Sequence, residues 1–320
     1  MQMFAYHAAL VKQHALQVLS PRADRKINQE IEEGRSRFGT AFVIQVLCYN
    51  HVMNDFDDKL KLDDLGRSGF KLYQEDKGFK LGTASVLLAW FAASFVRRSR
   101  QSDTRMLELG SGIGSCAMLT AARLQGVAID CVELMPKPFG ILKKNIEVNN
   151  AGIRVRAFNA DIRQLPDEVK GISYDVVFMN PPFFSSSRGT KTDTDVKSKE
   201  KLMARFNEEG TLEDFIGQAA KRVRPSGGYV VMCMSSDRLP ECIELFRQSG
   251  ITPSRLMNVH SLEDKDSFLF LLAGKKGAPN ADFRVLPPLV LNCRTSEGGI
   301  IRTEALRKIY EEEHTDCFIS

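Results

Sequence analysis

Short apolar runs typical of buried strands alternate with amphipathic segments from about residue 63 to the C-terminus. Strands are expected at 104–109, 128–133, 154–158, 174–179, 229–233, 255–260 and 268–273. Helices are expected at 84–91, 115–124, 138–149, 211–223, 239–247 and 303–313. This alternation, with two closing strands, predicts an α/β protein whose seven strands form one doubly wound sheet.

The residues before this alternation have a different pattern. Their apolar positions fall mainly at helical spacing, and no chemical motif is visible among them. We therefore expect a mainly helical N-terminal extension over residues 1–60 and one α/β domain over residues 61–320. Near the start of that domain, alternating residues at 69–73 and 78–81 flank a polar turn and predict a hairpin. Thr83 is the expected N-cap of the helix that follows.

A glycine-rich loop, Gly110-Ser111-Gly112-Ile113-Gly114, follows the strand 104–109. Glycines let a backbone approach a ligand closely, and the start of the following helix is expected to supply free N–H groups. Glu133 ends the next strand, where a carboxylate can accept both hydroxyls of a ribose. Asp161, just past the third strand, is placed to accept a hydrogen bond from an adenine amine.

This pattern alone fits either a nicotinamide-dependent dehydrogenase or an S-adenosylmethionine site. Glu108, in the strand before the loop, favours the second, because a negative charge would attract a cationic methionine end and repel a pyrophosphate. A hydride-transfer site also has no evident use for the asparagine–proline turn that ends the fourth strand. The sequence therefore favours a methyl-donor site.

That turn is Asn180-Pro181-Pro182-Phe183, and it follows the apolar strand 174–179. Two prolines cannot continue a strand, so the asparagine is held at its carboxyl end, where open α/β sheets bind ligands. The carboxamide oxygen and a proline carbonyl can accept both hydrogens of a planar amine, while a phenyl ring stacks on its base. The alternative is an ordinary strand-to-loop turn.

Composition limits the possible partners and location of the protein but does not determine them. The chain has 320 residues with a net charge of +4, which permits an RNA partner but does not require one. Seven scattered cysteines indicate reduced thiols and predict no metal site. The apolar runs are too short to span a bilayer, and no secretory signal is visible, so a cytoplasmic protein without a membrane partner is expected.

From residue 63 onward, these motifs resemble the class I S-adenosylmethionine-dependent methyltransferases that carry an Asn-Pro-Pro-aromatic motif. Within that group the chain is most similar to bacterial transfer-RNA adenine-N6 methyltransferases, which modify the base next to the anticodon of a valine tRNA. The segments that carry the resemblance are Gln74 with 78–89, Glu108–Gly114, Val132-Glu133, Asn159–Ile162, Asn180–Phe184 and Pro288–Leu291.

The resemblance implies a Rossmann-like fold, S-adenosylmethionine as cofactor, and methyl transfer to the N6 amine of an adenine in RNA, with tRNA as the favoured substrate. The implied catalytic residues are Asn180, Pro181, Pro182 and Phe183. The implied cofactor-binding residues are Lys80, Thr83, Glu108, Gly110, Ser111, Gly112, Gly114, Glu133, Leu134, Asp161, Ile162 and Asn180. The reaction as implied needs neither a metal nor a covalent enzyme intermediate.

Other substrates stay open at this point. Enzymes that share the Asn-Pro-Pro-aromatic motif act on a ribosomal RNA base or on the N5 amide of a protein glutamine. A third alternative is a non-catalytic RNA-binding protein with this fold. Many adenine-specific relatives have tyrosine where Phe183 stands. The basic loop 188–205 is interpreted as a flap that contacts RNA phosphates. Residues 1–60 inherit no function from the resemblance.

Overall fold

The computed structural model of the protein describes residues 60–75, 81–97, 102–181 and 210–311, and strands and helices alternate among the described residues between 83 and 260. Apart from Leu60, these residues belong to one compact unit, Lys61–Ser320. The helical extension predicted over residues 1–60 lies outside the described residues except for Leu60. The division into extension and domain therefore stays a prediction.

The elements follow the predicted order. They are β1 Leu60–Asp64, β2 Lys71–Glu75, α1 Thr83–Ala93, β3 Arg105–Leu109, α2 Ser115–Arg123, β4 Ala128–Glu133, α3 Pro136–Val148, β5 Val155–Asn159, α4 Asp167–Lys170, β6 Val176–Met179, α5 Leu212–Arg222, β7 Tyr229–Ser235, α6 Leu239–Gln248, β8 Ile251–His260, β9 Ser267–Lys276, β10 Arg284–Val285, β11 Leu289–Val290, β12 Asn292–Arg294, β13 Ile300–Arg302 and α7 Glu304–Glu311. Two short 3-10 helices, Ile162–Gln164 and Ser236–Arg238, join them.

Seven long strands form the predicted doubly wound sheet in the order β5-β4-β3-β6-β7-β9-β8. Strands β3 to β7 are parallel, and β9 runs antiparallel between β7 and β8. The two-residue strands β10 and β11 also pair with β8, so the sheet has nine strands. They supply hydrogen-bond partners to an edge that would otherwise be open.

The central strands are buried on both faces because helices cover the sheet on each side. All four residues of β6 are buried, which explains its uninterrupted apolar run. On one face, Leu109, Val177 and Met179 pack in a core cluster with Phe215 and Ile216 of α5. This packing fixes the carboxyl ends of the strands, from which the loops of the site emerge.

The start of the domain differs in one detail from the expectation, and its hairpin falls largely outside the described residues. The N-cap of α1 is Gly82, with extended φ and ψ and no side-chain cap, and Thr83 is the first helical residue. Strand β2 pairs with β1, a pairing that the sequence did not predict. Of residues 78–81, only Leu81 is described, so the predicted hairpin stays a prediction. Within the described ranges, no helix is long and apolar enough to cross a membrane.

Candidate active site

The glycine-rich loop between β3 and α2 lies at the carboxyl edge of the sheet. Gly110, Gly112 and Gly114 have positive φ of 69°, 55° and 82°. A Cβ on Gly114 would lie 2.4 Å from Leu142 Cδ1, and one on Gly110 would lie 2.9 Å from Phe215 Cε1, whereas one on Gly112 would meet nothing within 4 Å. Gly110 and Gly114 therefore serve close packing, and Gly112 leaves open space beside the loop.

Within the glycine-rich loop, the backbone N–H groups of Gly110, Ser111, Gly112 and Gly114 already have acceptors. The free N–H groups expected at the start of α2 are a separate set, and of these Ala117 donates to Glu108. Gly110 and Ser111 both donate to the Val132 carbonyl, at 2.9 and 3.0 Å, and Gly114 donates to the Ser111 carbonyl at 2.8 Å. Gly112 donates to Glu133 Oε2 at 2.7 Å. A loop that cradles pyrophosphate needs its N–H groups for the anion. Here a carboxylate occupies that place, which disfavours a dinucleotide.

Glu133 is positioned by two backbone donors. Its Oε2 accepts from Gly112, and its Oε1 accepts from the Met135 N–H at 2.8 Å, while the residue is 7% exposed. An ionised carboxylate has about four acceptor positions, so it retains capacity for the hydroxyls of a ribose. Leu134, next in the chain, accepts from Asn159 Nδ2 through its carbonyl at 2.9 Å.

Glu108 lies in β3 beneath the glycine loop, fully enclosed. Burial raises its pKa from 4.5 to about 8, against the opposing effect of the Cys116 thiol and the Ala117 N–H; the charge of Glu133 adds to the rise. Its Oε2 has no hydrogen-bond partner in the part of the chain that the structure describes. The negative charge expected at Glu108 is thus mostly neutralised at pH 7 unless a cation lies beside it.

A side-chain relay joins Glu108 to the first turn of α1. The Cys116 thiol hydrogen-bonds both the Glu108 carboxyl and the Ser85 hydroxyl. The segment that holds Thr83 is therefore adjacent to the region beneath the glycine loop, as the resemblance implies. Lys80 lies outside the described residues. Sequence reasoning missed Ser85 and Cys116, because a buried cysteine carries no signal of its contacts.

Asp161 and Ile162 begin the 3-10 helix after β5. Asp161 Oδ1 accepts from the Arg163 N–H at 2.8 Å, and the Arg163 guanidinium forms an ion pair with both carboxylate oxygens, from 2.6 to 3.0 Å. Ile162 is buried at 3% exposure. Few acceptor positions on Asp161 remain for an adenine amine. Arg163, two residues away, was not expected from the sequence, although its charge and spacing were visible.

Asn180 follows β6 at the same edge of the sheet. Register places Leu109 beside both Val132 and Met179, so the glycine loop, the Glu133 loop and Asn180 emerge side by side. The Asn180 Oδ1 is buried and has no hydrogen-bond partner among the described residues. Pro181 is buried, while Pro182, Phe183 and the loop 188–205 lie outside the described residues.

Among the described residues, the site therefore combines a buried glutamate beneath the glycine loop, the Glu133 carboxylate with remaining acceptor capacity, and an amide oxygen without a partner, that of Asn180. A buried amide oxygen without a partner costs free energy unless a ligand donates to it. Such a site suits a cationic nucleoside cofactor and an amine. In the described ranges, no group of three or more His, Cys, Asp and Glu side chains is arranged to hold a metal ion.

Comparison with known proteins agrees with this chemistry. The tRNA1(Val) (adenine(37)-N6)-methyltransferase of Pectobacterium carotovorum subsp. carotovorum is 29% identical over 72% of this chain and 89% of its own length. The enzyme of that name from Flavobacterium psychrophilum is 23% identical over 77% and 93%. A predicted O-methyltransferase from Agrobacterium tumefaciens shares the fold, with a TM-score of 0.53 at 21% identity, over 71% of this chain and 97% of its own.

The methyltransferase small domain model matches residues 82–249, which run from the start of α1 to the end of α6 and include every described residue of the site. This confirms the predicted resemblance and the Rossmann-like fold. The chain belongs to the methyltransferase small domain family.

Proposed function

We propose that this protein transfers the methyl group of S-adenosylmethionine to the N6 amine of an adenine in tRNA. The observation that carries the proposal is the buried Asn180 Oδ1, which has no partner among the described residues, at the carboxyl end of β6. The names of the two relatives described above support adenine in tRNA over the other substrates.

The residues present fit the cofactor. Gly112 leaves space beside the loop, and Glu133 has acceptor capacity for a ribose. Glu108 has an oxygen with no partner among the described residues, which suits a positive charge. Ile162 would hold the adenine ring, and Asp161 would accept the adenine amine with the acceptor capacity that its ion pair with Arg163 leaves. When bound, S-adenosylmethionine supplies an electrophilic methyl group on a sulfonium.

The chain's own residues act on the amine. Asn180 Oδ1 and the Pro181 carbonyl accept its two hydrogens, which directs the nitrogen lone pair away from them. An adenine amine is a weak nucleophile because its lone pair is delocalised into the ring. Orientation, and stabilisation of the positive charge that develops on nitrogen, are therefore the main contributions. Phe183 would stack on the base once it has left its own stack.

The test combines a variant with a substrate panel. Asn180→Ala should lower kcat by about a hundredfold and leave S-adenosylmethionine affinity nearly unchanged, because the amide acts on the amine. Asn258→Ala, an asparagine in β8 away from the site, is the matched control and should retain full turnover. Unchanged turnover of Asn180→Ala would refute the assignment of the catalytic amide.

Substrate identity is tested by transfer of labelled methyl to unmodified total tRNA, ribosomal RNA and a glutamine-bearing protein, followed by nucleoside mass spectrometry. We expect N6-methyladenosine in tRNA. Label in ribosomal RNA or protein would keep the mechanism and replace the substrate. Cofactor binding without transfer to any of the three would favour the non-catalytic RNA-binding alternative. The cytoplasmic location and the RNA-contacting flap stay predictions.

A further inference from the structure

Two asparagines one helical turn apart hold the edge of strand β2. Asn145 of α3 accepts the Tyr73 N–H at 2.6 Å and donates to the Tyr73 carbonyl at 3.1 Å. Asn149 repeats this at Lys71, with both bonds at 2.7 Å. Strand residues two apart are separated by about 6.6 Å, and helix residues four apart by about 6 Å, so the two amides substitute for a neighbouring strand.

Asn145 makes one contact that Asn149 does not. Its Nδ2 also donates to the carbonyl of Ile113, inside the glycine-rich loop, at 2.9 Å, and the residue is completely buried. The additional bonds of Asn149 go to the Asn145 carbonyl at 2.7 Å and to Met118 Sδ at 3.7 Å. A single amide thus joins β2 to the loop that faces the cofactor site.

Strand β2 in turn fixes where the chain returns before α1. Gln74 Oε1 accepts the Leu81 N–H at 2.8 Å, two residues before Thr83. At its carboxyl end, Glu75 forms an ion pair with Lys137 of α3, so both ends of the strand are attached to the same helix. The placement of the α1 start and that of the glycine loop therefore depend on a common strand.

We propose that Asn145 is a positioning residue for the cofactor, which sets the separation between the glycine-rich loop and strand β2. The proposal rests on the proposed function, because it takes the S-adenosylmethionine site as given. Without the amide, the Ile113 carbonyl loses its link to β2, and the loop can shift relative to the chain before α1. Asn149 holds the same strand but does not touch the loop, which makes it the matched control.

The experiment compares Asn145→Ala with Asn149→Ala by calorimetric titration with S-adenosylmethionine, without RNA, at a temperature where both are folded. Both variants lose hydrogen bonds to β2 and should unfold at lower temperature. Only Asn145→Ala should bind the cofactor more weakly, by about tenfold. In turnover assays its KM for S-adenosylmethionine should rise accordingly, with kcat at saturation unchanged. Asn145→Ser, which cannot bridge to Ile113, should give the same result and replaces the alanine variant if that does not fold.

Equal cofactor affinities for the Asn145 and Asn149 variants would overturn the positioning role, since a purely structural asparagine would lower stability without that difference. A wild-type protein that binds S-adenosylmethionine but methylates no adenine in tRNA would overturn the proposed function and leave the role of Asn145 intact. A wild-type protein with no affinity for S-adenosylmethionine would overturn both.

Discussion

Two buried glutamates on neighbouring strands have opposite surroundings. Glu133, at the end of β4, receives two backbone N–H groups, whereas Glu108, one residue inside β3, has an oxygen without a partner among the described residues. Their exposures are similar, 7% and 2%. The Glu108 carboxyl does receive the Ala117 N–H and the Cys116 thiol, but its Oε2 is left without a donor among the described residues, whereas both oxygens of Glu133 accept a backbone N–H.

The comparison separates two electrostatic roles within one site. Glu133 has the donors that a buried carboxylate needs, so it suits neutral hydroxyls that add further hydrogen bonds. Glu108 has one oxygen without a partner among the described residues, and burial raises its pKa to about 8, so it ionises at pH 7 only when a positive charge lies beside it. Glu133 is already hydrogen-bonded without a ligand, whereas ionisation of Glu108 depends on a positive charge that the ligand brings.

Removal of the Glu133 carboxylate should have the largest effect, and that effect should fall on cofactor affinity. Glu133→Ala would lose the proposed ribose contacts and also release Gly112 and Met135, so we expect S-adenosylmethionine to bind about a hundredfold more weakly. Calorimetric titration measures this. Asp130→Asn is the control, since Asp130 is a buried acid of the same strand whose partners are Arg156 and Tyr174. Wild-type affinity of Glu133→Ala would contradict the ribose assignment.

The raised pKa of Glu108 should make the free energy of unfolding depend on pH. The pKa of Glu108 is raised from 4.5 to about 8 in the folded protein. Between these two pH values, the folded protein keeps a proton on Glu108 that the unfolded chain has already released. Its contribution to stability therefore falls as pH rises, by roughly 2 kcal/mol between pH 5.5 and 7. Glu108→Gln has no such proton, so denaturation at several pH values should show it gaining on the wild type as pH rises. Parallel pH profiles would contradict the raised pKa.

The sequence predicted the strands that carry Glu108 and Glu133 but not the hydrogen-bond partners of these two residues. Strand β4 matches the expected 128–133, because a buried apolar run bounded by loops is a local signal. The two-residue strands β10 and β11 were missed, since they are too short for any periodicity. The positions of Glu108 and Glu133 at the carboxyl edge followed from the strand order.

Hydrogen-bond partners could not be predicted in the same way. The Gly112–Glu133 bond spans 21 residues, and the Tyr73–Asn145 bond spans 72, so both depend on how distant segments pack. The expectation of free N–H groups at the start of α2 did not include the bond from Ala117 to the buried Glu108. The Asp161–Arg163 and Glu133–Met135 pairs, each two residues apart, were open to local reasoning.

The smallest effect expected is a pH dependence of cofactor binding. If the cationic methionine end lies beside Glu108, binding favours the ionised carboxyl and releases its proton. Affinity of the wild type should then rise with pH between 6 and 7, by at most about tenfold, since one proton is involved. The cofactor's own amine titrates equally with both proteins, so subtraction of the Glu108→Gln profile isolates this glutamate. Identical profiles would show that Glu108 stays protonated in the complex. Of the two glutamates, Glu133 would then be the one with a direct role in binding.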